Sequence, residues 1–127
     1  MADQIDIAAR CEQFFQYSAA HAWEALAALC APDAVFAQNG VENDLDGMLA
    51  MVHGITNSGI EYRYSNVRRL TADESQTVVE QHHVTMHRGD GVEANADVCV
   101  VMSFDDQGLI RRLDEYVDTA AFAPLFH

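Results

Sequence analysis

The first part of the chain carries apolar residues at helical spacing. They recur three or four positions apart, at Ile7, Cys11 and Phe14. Either Asp3 or Asp6 can cap the start of such a helix, because an aspartate side chain accepts hydrogen bonds from free backbone N–H groups. The pattern therefore predicts a first helix over about residues 3–20.

Two more helices and a hairpin follow. Trp23, Leu26 and Leu29 form a second helical stripe, which we expect to stop near residue 31 because Pro32 disfavours helical geometry in the residue before it. Extended segments over residues 34–38 and 41–42 flank Asn-Gly, a strong hairpin-turn signal. A third helix should begin after a cap at Asp44 and end at Gly54.

The second half of the chain changes to long extended segments separated by turn residues. The expected strands cover residues 60–70, 76–88, 92–104 and 109–117. Helices first and strands afterwards predict an α+β fold with the helices on one face of the sheet. We find no repeat or linker, so residues 1–127 should form a single domain.

Alternation along the strands indicates which side chains face the helices. In the third long strand the more apolar set, and therefore the candidate inner face, comprises Ala94, Ala96, Val98, Val100 and Met102. In the last strand Leu113, Glu115 and Val117 lie opposite Ile110, Arg112 and Tyr116. Periodicity alone leaves open which of these two sets faces inward.

Composition narrows the classes of partner. Seven basic residues against 20 acidic ones leave a net charge of -13, which disfavours nucleic acid and anionic membranes as partners. No apolar run reaches the roughly 18 residues that span a bilayer, and the first residues do not resemble a signal peptide, so we expect a cytoplasmic protein. The three cysteines are odd in number and widely spaced, so they predict packing and not a disulfide framework.

Three segments carry a resemblance to a known superfamily: WEALAALCAPDAVF (23–36), YRYSNV (62–67) and GLIRRLDEYVD (108–118). With the order of elements, they resemble the SnoaL-like and nuclear transport factor two-like proteins, which include ketosteroid isomerase, scytalone dehydratase, limonene epoxide hydrolase and polyketide cyclases. The resemblance implies a cystatin-like cone, in which three N-terminal helices pack on a strongly curved, mixed but mostly antiparallel sheet around a cavity. It specifies the fold more closely than the function.

The functional positions of these relatives are largely changed in this chain. Where ketosteroid isomerases carry a Tyr and an Asp, the resemblance places Phe14 and Gln38, which cannot supply the same donor and base. Where limonene epoxide hydrolase carries an Arg, an Asp and a second Asp, it places Gln81, His83 and Glu115. This matching also implies that the side chains of Glu115 and its strand neighbours Leu113 and Val117 point into the cone.

The sequence therefore predicts a catalytic pair of His83 and Glu115, because a carboxylate that orients an imidazole serves general-base catalysis. We expect cofactor-free isomerisation, cyclisation, dehydration or hydrolysis of a small, mostly apolar carbonyl compound. The alternative is a non-catalytic ligand-binding or dimerisation module. The predicted substrate-binding residues are Phe14, Tyr17, Ser18, Phe36, Gln38, Tyr62, Gln81, Val98 and Leu113.

The histidine-rich strand also raises a metal hypothesis, which its geometry weakens. On a strand, His83 and His87 lie roughly 13 Å apart at about 3.3 Å per residue, and His82 faces the other side, so we expect no metal site. The predicted outer face is unusually apolar, which suggests a homodimer through that face. It comprises His82, Val84, Met86, Cys99, Val101, Ile110 and Tyr116.

Overall fold

The computed structural model describes residues 5–126. Its helices are α1 (Ile7–Ala19), α2 (Trp23–Ala28) and α3 (Leu45–Asn57). Its strands are β1 (Cys30–Gln38), β2 (Val41–Asn43), β3 (Ile60–Ala72), β4 (Thr77–Arg88), β5 (Glu93–Phe104) and β6 (Ile110–Val117). Short 3₁₀ turns cover Asp73–Ser75 and Thr119–Phe126, and we call the second of these the C-terminal segment.

The helix ends differ in detail from the sequence predictions. Asp6 caps α1, its side chain accepting a hydrogen bond from the backbone N–H of Ala9 at 3.0 Å, whereas Asp3 lies outside the described residues. Asp44 caps α3 as expected. The predicted end of α3 at Gly54 is wrong: the helix continues to Asn57, because an interior glycine weakens a helix without having to break it.

The six strands form one curved, open sheet in the order β2-β1-β6-β5-β4-β3. Every neighbouring pair is antiparallel except β1 and β6, which run parallel. The three helices pack on one face, so the predicted α+β fold with a mixed, mostly antiparallel sheet is confirmed. No helix among residues 5–126 is both long and apolar enough to span a membrane.

The inner face of the sheet forms the core with the helices. The predicted inner residues of β5, from Ala94 to Met102, are all buried. Two of them, Val100 and Met102, are fully buried in the same cluster as Cys11 and Leu26 of the helices. Burial of this continuous apolar surface is the main term that stabilises the sheet against the helices.

The predicted outward orientation of His82, Val84 and Met86 is wrong. Directly opposed residues in an antiparallel pair point to the same face, and His82 pairs with the buried Val98. All three side chains therefore point inward and are buried.

Ile110 is a second correction to the predicted outer face. A register shift beside the β5–β6 pairing sets Ile110 opposite Phe104, and both side chains are buried in the core. Cys99, Val101 and Tyr116 remain on the face that the helices do not cover.

Candidate functional site

The sheet and the helices surround an open pocket of about 710 Å³, within the size range of small-molecule sites. Aromatic and aliphatic side chains make up most of its wall, and a few polar groups converge at one end. The lining includes Phe14, Phe15, Ser18, Trp23, Phe36, Gln38, Tyr62, Tyr64, His82, Val98, Leu113, Glu115 and Phe122.

A buried chain of ionic hydrogen bonds leads from α1 and β3 to the pocket. Arg69 donates through Nε to Oε1 of Glu80 at 2.6 Å, and Nδ1 of His82 lies 2.5 Å from Oε2 of the same carboxylate. The thiol of Cys11 contacts Oε1 at 3.6 Å. Glu80 is only 1% exposed, so its charge depends on these partners for stabilisation.

Glu80 also determines which ring nitrogen of His82 carries a proton in the neutral imidazole. Burial alone would raise the pKa of Glu80, but the hydrogen bonds from His82 and Arg69 outweigh burial and hold the pKa below its usual value. A carboxylate only accepts hydrogen bonds, so Nδ1 of His82 must carry the proton that it shares with Glu80. In neutral His82 the lone pair then lies on Nε2, which has no hydrogen-bond partner among residues 5–126.

Two aromatic rings set the orientation of His82. The ring centroid of Phe15 lies 4.8 Å from that of the imidazole, and the ring centroid of Tyr64 lies 4.7 Å from it. Such packed contacts restrict rotation of the imidazole, and His82 lines the pocket in this orientation.

Three hydroxyl groups cluster at the pocket wall, and one of them belongs to Tyr64, whose ring packs against His82. The Oγ atom of Ser18 lies 2.9 Å from the hydroxyl of Tyr62 and 3.2 Å from that of Tyr64. Burial raises the pKa of both tyrosines, and the neighbouring charge of Glu115 contributes to the increase at Tyr64, so both phenols stay protonated. Two hydrogen bonds use two of the three hydroxyl protons, which leaves one proton to donate to a ligand oxygen.

Glu115 lies at the pocket wall where β1 and β6 run parallel, within reach of Tyr64, on whose pKa its charge acts. Their register places Gln38 next to Glu115, and Nε2 of Gln38 donates to Oε1 of Glu115 at 2.7 Å. Asn39 holds this end of the two strands together, because its side chain donates to the carbonyl of Val117 and accepts from the N–H of the same residue.

The structure brings most of the predicted substrate-binding residues to the pocket. Those at its wall are Phe14, Ser18, Phe36, Gln38, Tyr62, Val98 and Leu113, and Glu115 lies there as well. Tyr17 packs against the core but does not line the pocket. The binding and catalytic roles of all these residues stay predictions.

His83 and Gln81 lie on the outer face of β4, away from the pocket. Nδ1 of His83 lies 2.9 Å from Asp97, and Nε2 lies 3.0 Å from the side-chain oxygen of Asn95. The predicted His83–Glu115 pair therefore does not form. The match to the relatives placed odd-numbered residues of β4 inside, whereas the register with β5 places the even-numbered ones there.

Sequence reasoning missed His82, Glu80 and Tyr64 as a group. The available signal was the alternation of Val78, Val84 and Met86, which marks the even-numbered face of β4 as apolar and therefore as inner. Among the described residues no cluster of three or more His, Cys, Asp or Glu side chains could hold a metal ion.

The SnoaL-like domain model matches residues 11–113, and the chain belongs to that family. No curated protein has a significant sequence match to this chain. Solved structures share the fold at low identity. A proposed polyketide cyclase from Xanthomonas campestris is 14% identical, with 94% of this chain and 96% of that chain covered and a TM-score of 0.82.

Two further solved structures are similar over nearly the same length. An LEH-like epoxide hydrolase of M. tuberculosis is 16% identical, with 94% of this chain and 89% of that chain covered and a TM-score of 0.77. The pinacolase BvnE from Penicillium brevicompactum is 11% identical, with 94% and 91% covered and a TM-score of 0.78. At these identities the similarity establishes the fold alone.

Proposed function

We propose that this SnoaL-like domain catalyses cofactor-free acid–base chemistry on a small, mostly apolar carbonyl compound, with His82 as the general base. One observation carries the proposal: the Arg69–Glu80–His82 chain leaves Nε2 of His82 without a hydrogen-bond partner among residues 5–126, and His82 lines an apolar pocket. A carboxylate that holds Nδ1–H in this way stabilises the imidazolium that forms when Nε2 accepts a proton.

The proposed first step is removal of a proton from the carbon next to the carbonyl group. The C–H bond breaks, an N–H bond forms at Nε2 of His82, and the electron pair moves through the new C=C bond to the carbonyl oxygen. The hydroxyl cluster of Ser18, Tyr62 and Tyr64 can donate a hydrogen bond to that oxygen. The resulting enolate can be reprotonated elsewhere, attack a second carbonyl or expel a leaving group, which correspond to isomerisation, cyclisation and elimination.

Hydrogen–deuterium exchange at the carbon next to the carbonyl tests this step without knowledge of the complete reaction. Apolar ketones are incubated with the protein in D₂O, and deuterium incorporation is measured by mass spectrometry. We expect exchange by the wild-type protein, a loss of about 10²-fold or more in His82→Gln, and a wild-type rate in His83→Gln. Equal rates in the two variants would contradict the role of His82.

A non-catalytic ligand-binding module is the second candidate. Its support is the coverage of His82 by Phe15 and Tyr64, which leaves the residue only 3% exposed. A protein that binds apolar ketones, detected through the fluorescence of Trp23 at the pocket wall, but that exchanges no deuterium would support this candidate against the first.

We also propose a homodimer through the outer sheet face. Leu70, Val79 and Val101 lie in one cross-strand row, and Tyr116 lies beside them, half-exposed. An apolar row of this kind suits a two-fold interface, in which the same patch contacts itself. Analytical ultracentrifugation at micromolar concentration should give a dimer, and Val101→Asp should give a monomer. A monomeric wild-type protein would contradict the dimer.

A further inference from the structure

Three large hydrophobic side chains lie exposed at the opening of the pocket, although each also lines it. Val41 is 70% exposed, Met51 is 43% exposed and Phe126 is 58% exposed. They belong to β2, α3 and the C-terminal segment, which meet around the same pocket. We call these three residues the rim. Exposed apolar side chains that gather at one place commonly mark a surface that a ligand covers.

The part of the rim on the C-terminal segment is anchored from behind. Arg88 donates through Nη1 to the backbone carbonyl of Leu125 at 2.9 Å, and the same guanidinium pairs with the carboxylate of Asp90. Leu125 is itself buried in the core. The backbone next to Phe126 is therefore held against the folded domain, which fixes this part of the rim at the pocket.

Polarity changes from the exposed rim to the buried part of the pocket. The rim is apolar, whereas the buried part holds Ser18 and His82 together with Tyr62 and Tyr64. A ligand that satisfies both parts has an oxygen-bearing head and an apolar tail. The head takes the free hydroxyl proton, and the tail covers the rim.

The charges around the pocket restrict which head groups a ligand can carry. No Arg or Lys side chain lines the described pocket, and among residues 5–126 the carboxylate of Glu115 has only the neutral amide of Gln38 as a side-chain hydrogen-bond partner. Glu80 behind the wall is already paired with Arg69. An anionic head would therefore approach Glu115 with no cation to compensate it, in a protein of net charge -13.

We propose that the pocket takes an uncharged, chain-bearing amphiphile, head inward, with its tail between Val41, Met51 and Phe126, and that Glu115 rejects molecules with an anionic head. This inference rests on the proposed binding of a small molecule in the pocket. It does not require that the protein is catalytic.

Head charge is tested by the binding of decanol and decanoate, measured through the fluorescence of Trp23, the single tryptophan, which lines the pocket. We expect decanoate to bind at least about tenfold more weakly than decanol. In Glu115→Gln this difference should shrink. Asp114→Asn is the matched control, because it removes one carboxylate from the neighbouring position of β6, where Asp114 pairs with Arg112.

Two outcomes of this experiment overturn the proposed selectivity. The first is equal affinity of the wild-type protein for decanol and decanoate. The second is an equal effect of Glu115→Gln and Asp114→Asn, which would assign the discrimination to net charge. Tighter binding of decylamine than of decanol would also contradict the proposal of an uncharged head, because the pocket would then prefer a cationic head.

Tail position is tested by a series of alkanols of increasing length. Affinity should increase roughly fourfold per methylene, which corresponds to about 0.8 kcal/mol, until the tail passes the rim. Val41→Ser should weaken the long members of the series and leave the short ones unchanged. Val67→Ser is the control, since Val67 is an exposed strand valine as well but does not line the pocket. Equal effects of the two variants would contradict the proposed position of the tail at the rim.

Failure of this inference and failure of catalysis give different results. If His82→Gln abolishes deuterium exchange while decanol and decanoate bind equally well, the catalytic proposal stands and the proposed selectivity fails. If the wild-type protein discriminates between the two heads as expected but exchanges no deuterium, the proposed selectivity stands and the catalytic proposal fails.

Discussion

Replacing Glu80 by Gln keeps the shape of the side chain and removes the charge on which the buried network depends. The carboxylate accepts hydrogen bonds from Arg69 and His82. The amide of Gln keeps one accepting oxygen but turns its NH₂ group toward the second donor. Hydrogen bonds to charged groups contribute about 1.5–3 kcal/mol each, and a buried donor left without an acceptor adds a further cost of about 1–3 kcal/mol.

We therefore expect Glu80→Gln to lower the free energy of unfolding by about 2–4 kcal/mol. Partial exposure of Arg69 places the value below the simple sum, because water can solvate the released guanidinium. Urea unfolding at neutral pH, followed by the fluorescence of Trp23, measures the loss. The control is Glu12→Gln, which removes an exposed carboxylate 3.9 Å from Arg69 and should cost no more than about 1 kcal/mol.

The same variant has a defined pH dependence. Because the folded protein holds the pKa of Glu80 below its usual value, ionised Glu80 stabilises the fold at pH values above the usual pKa of glutamate. This contribution is lost as the pH falls through the lowered pKa. The difference between wild type and Glu80→Gln should therefore be largest at neutral pH and shrink below about pH 4. A loss equal to that of Glu12→Gln, or a difference that grows in acid, would contradict the role of Glu80 as an ionised partner of Arg69 and His82.

Three further variants test other parts of the structure. Phe104→Ala should cost about 3–5 kcal/mol in urea unfolding, because Phe104 is among the largest fully buried side chains, and a loss below about 1 kcal/mol would contradict its place in the core. Tyr64→Phe removes a hydrogen bond to Ser18 and should cost about 1 kcal/mol, while a stability equal to or above wild type would argue against that bond. His83→Gln should reduce stability in mildly acidic solution only. The hydrogen bonds to Asp97 and Asn95 raise the pKa of His83, and their contribution to stability is lost as the pH rises through that pKa. A loss of stability confined to alkaline pH would contradict this prediction.

The sequence predicted the fold well because its signals are local and repeated. Helical spacing, the Asp44 cap, the Asn39-Gly40 turn and the alternation along β5 each depend on residues near one another in the chain. The parallel pairing of β1 and β6 was not predicted as such, since it joins segments that are distant in sequence. The C-terminal segment was also missed, because its helical turns are 3₁₀ in type and contain Pro124.

The candidate site was harder to predict because it depends on strand register. A displacement of one residue along β4 exchanges His82 for His83 and reverses which side chain faces the pocket. Two adjacent histidines offer no local signal of which one is buried. The decisive information was the cross-strand pairing of His82 with Val98, together with Glu80 two residues earlier on the same face.

The tautomer of His82 is the most direct test of the central claim, that Glu80 holds Nδ1–H and leaves Nε2 free to act as a base. Nitrogen-15 NMR of histidine-labelled protein, recorded at a pH at which the imidazole is neutral, distinguishes the protonated from the unprotonated ring nitrogen. We expect a proton on Nδ1 and none on Nε2 in the wild-type protein, and a mixture of both tautomers in Glu80→Gln. A proton on Nε2 of neutral His82 in the wild-type protein would contradict it.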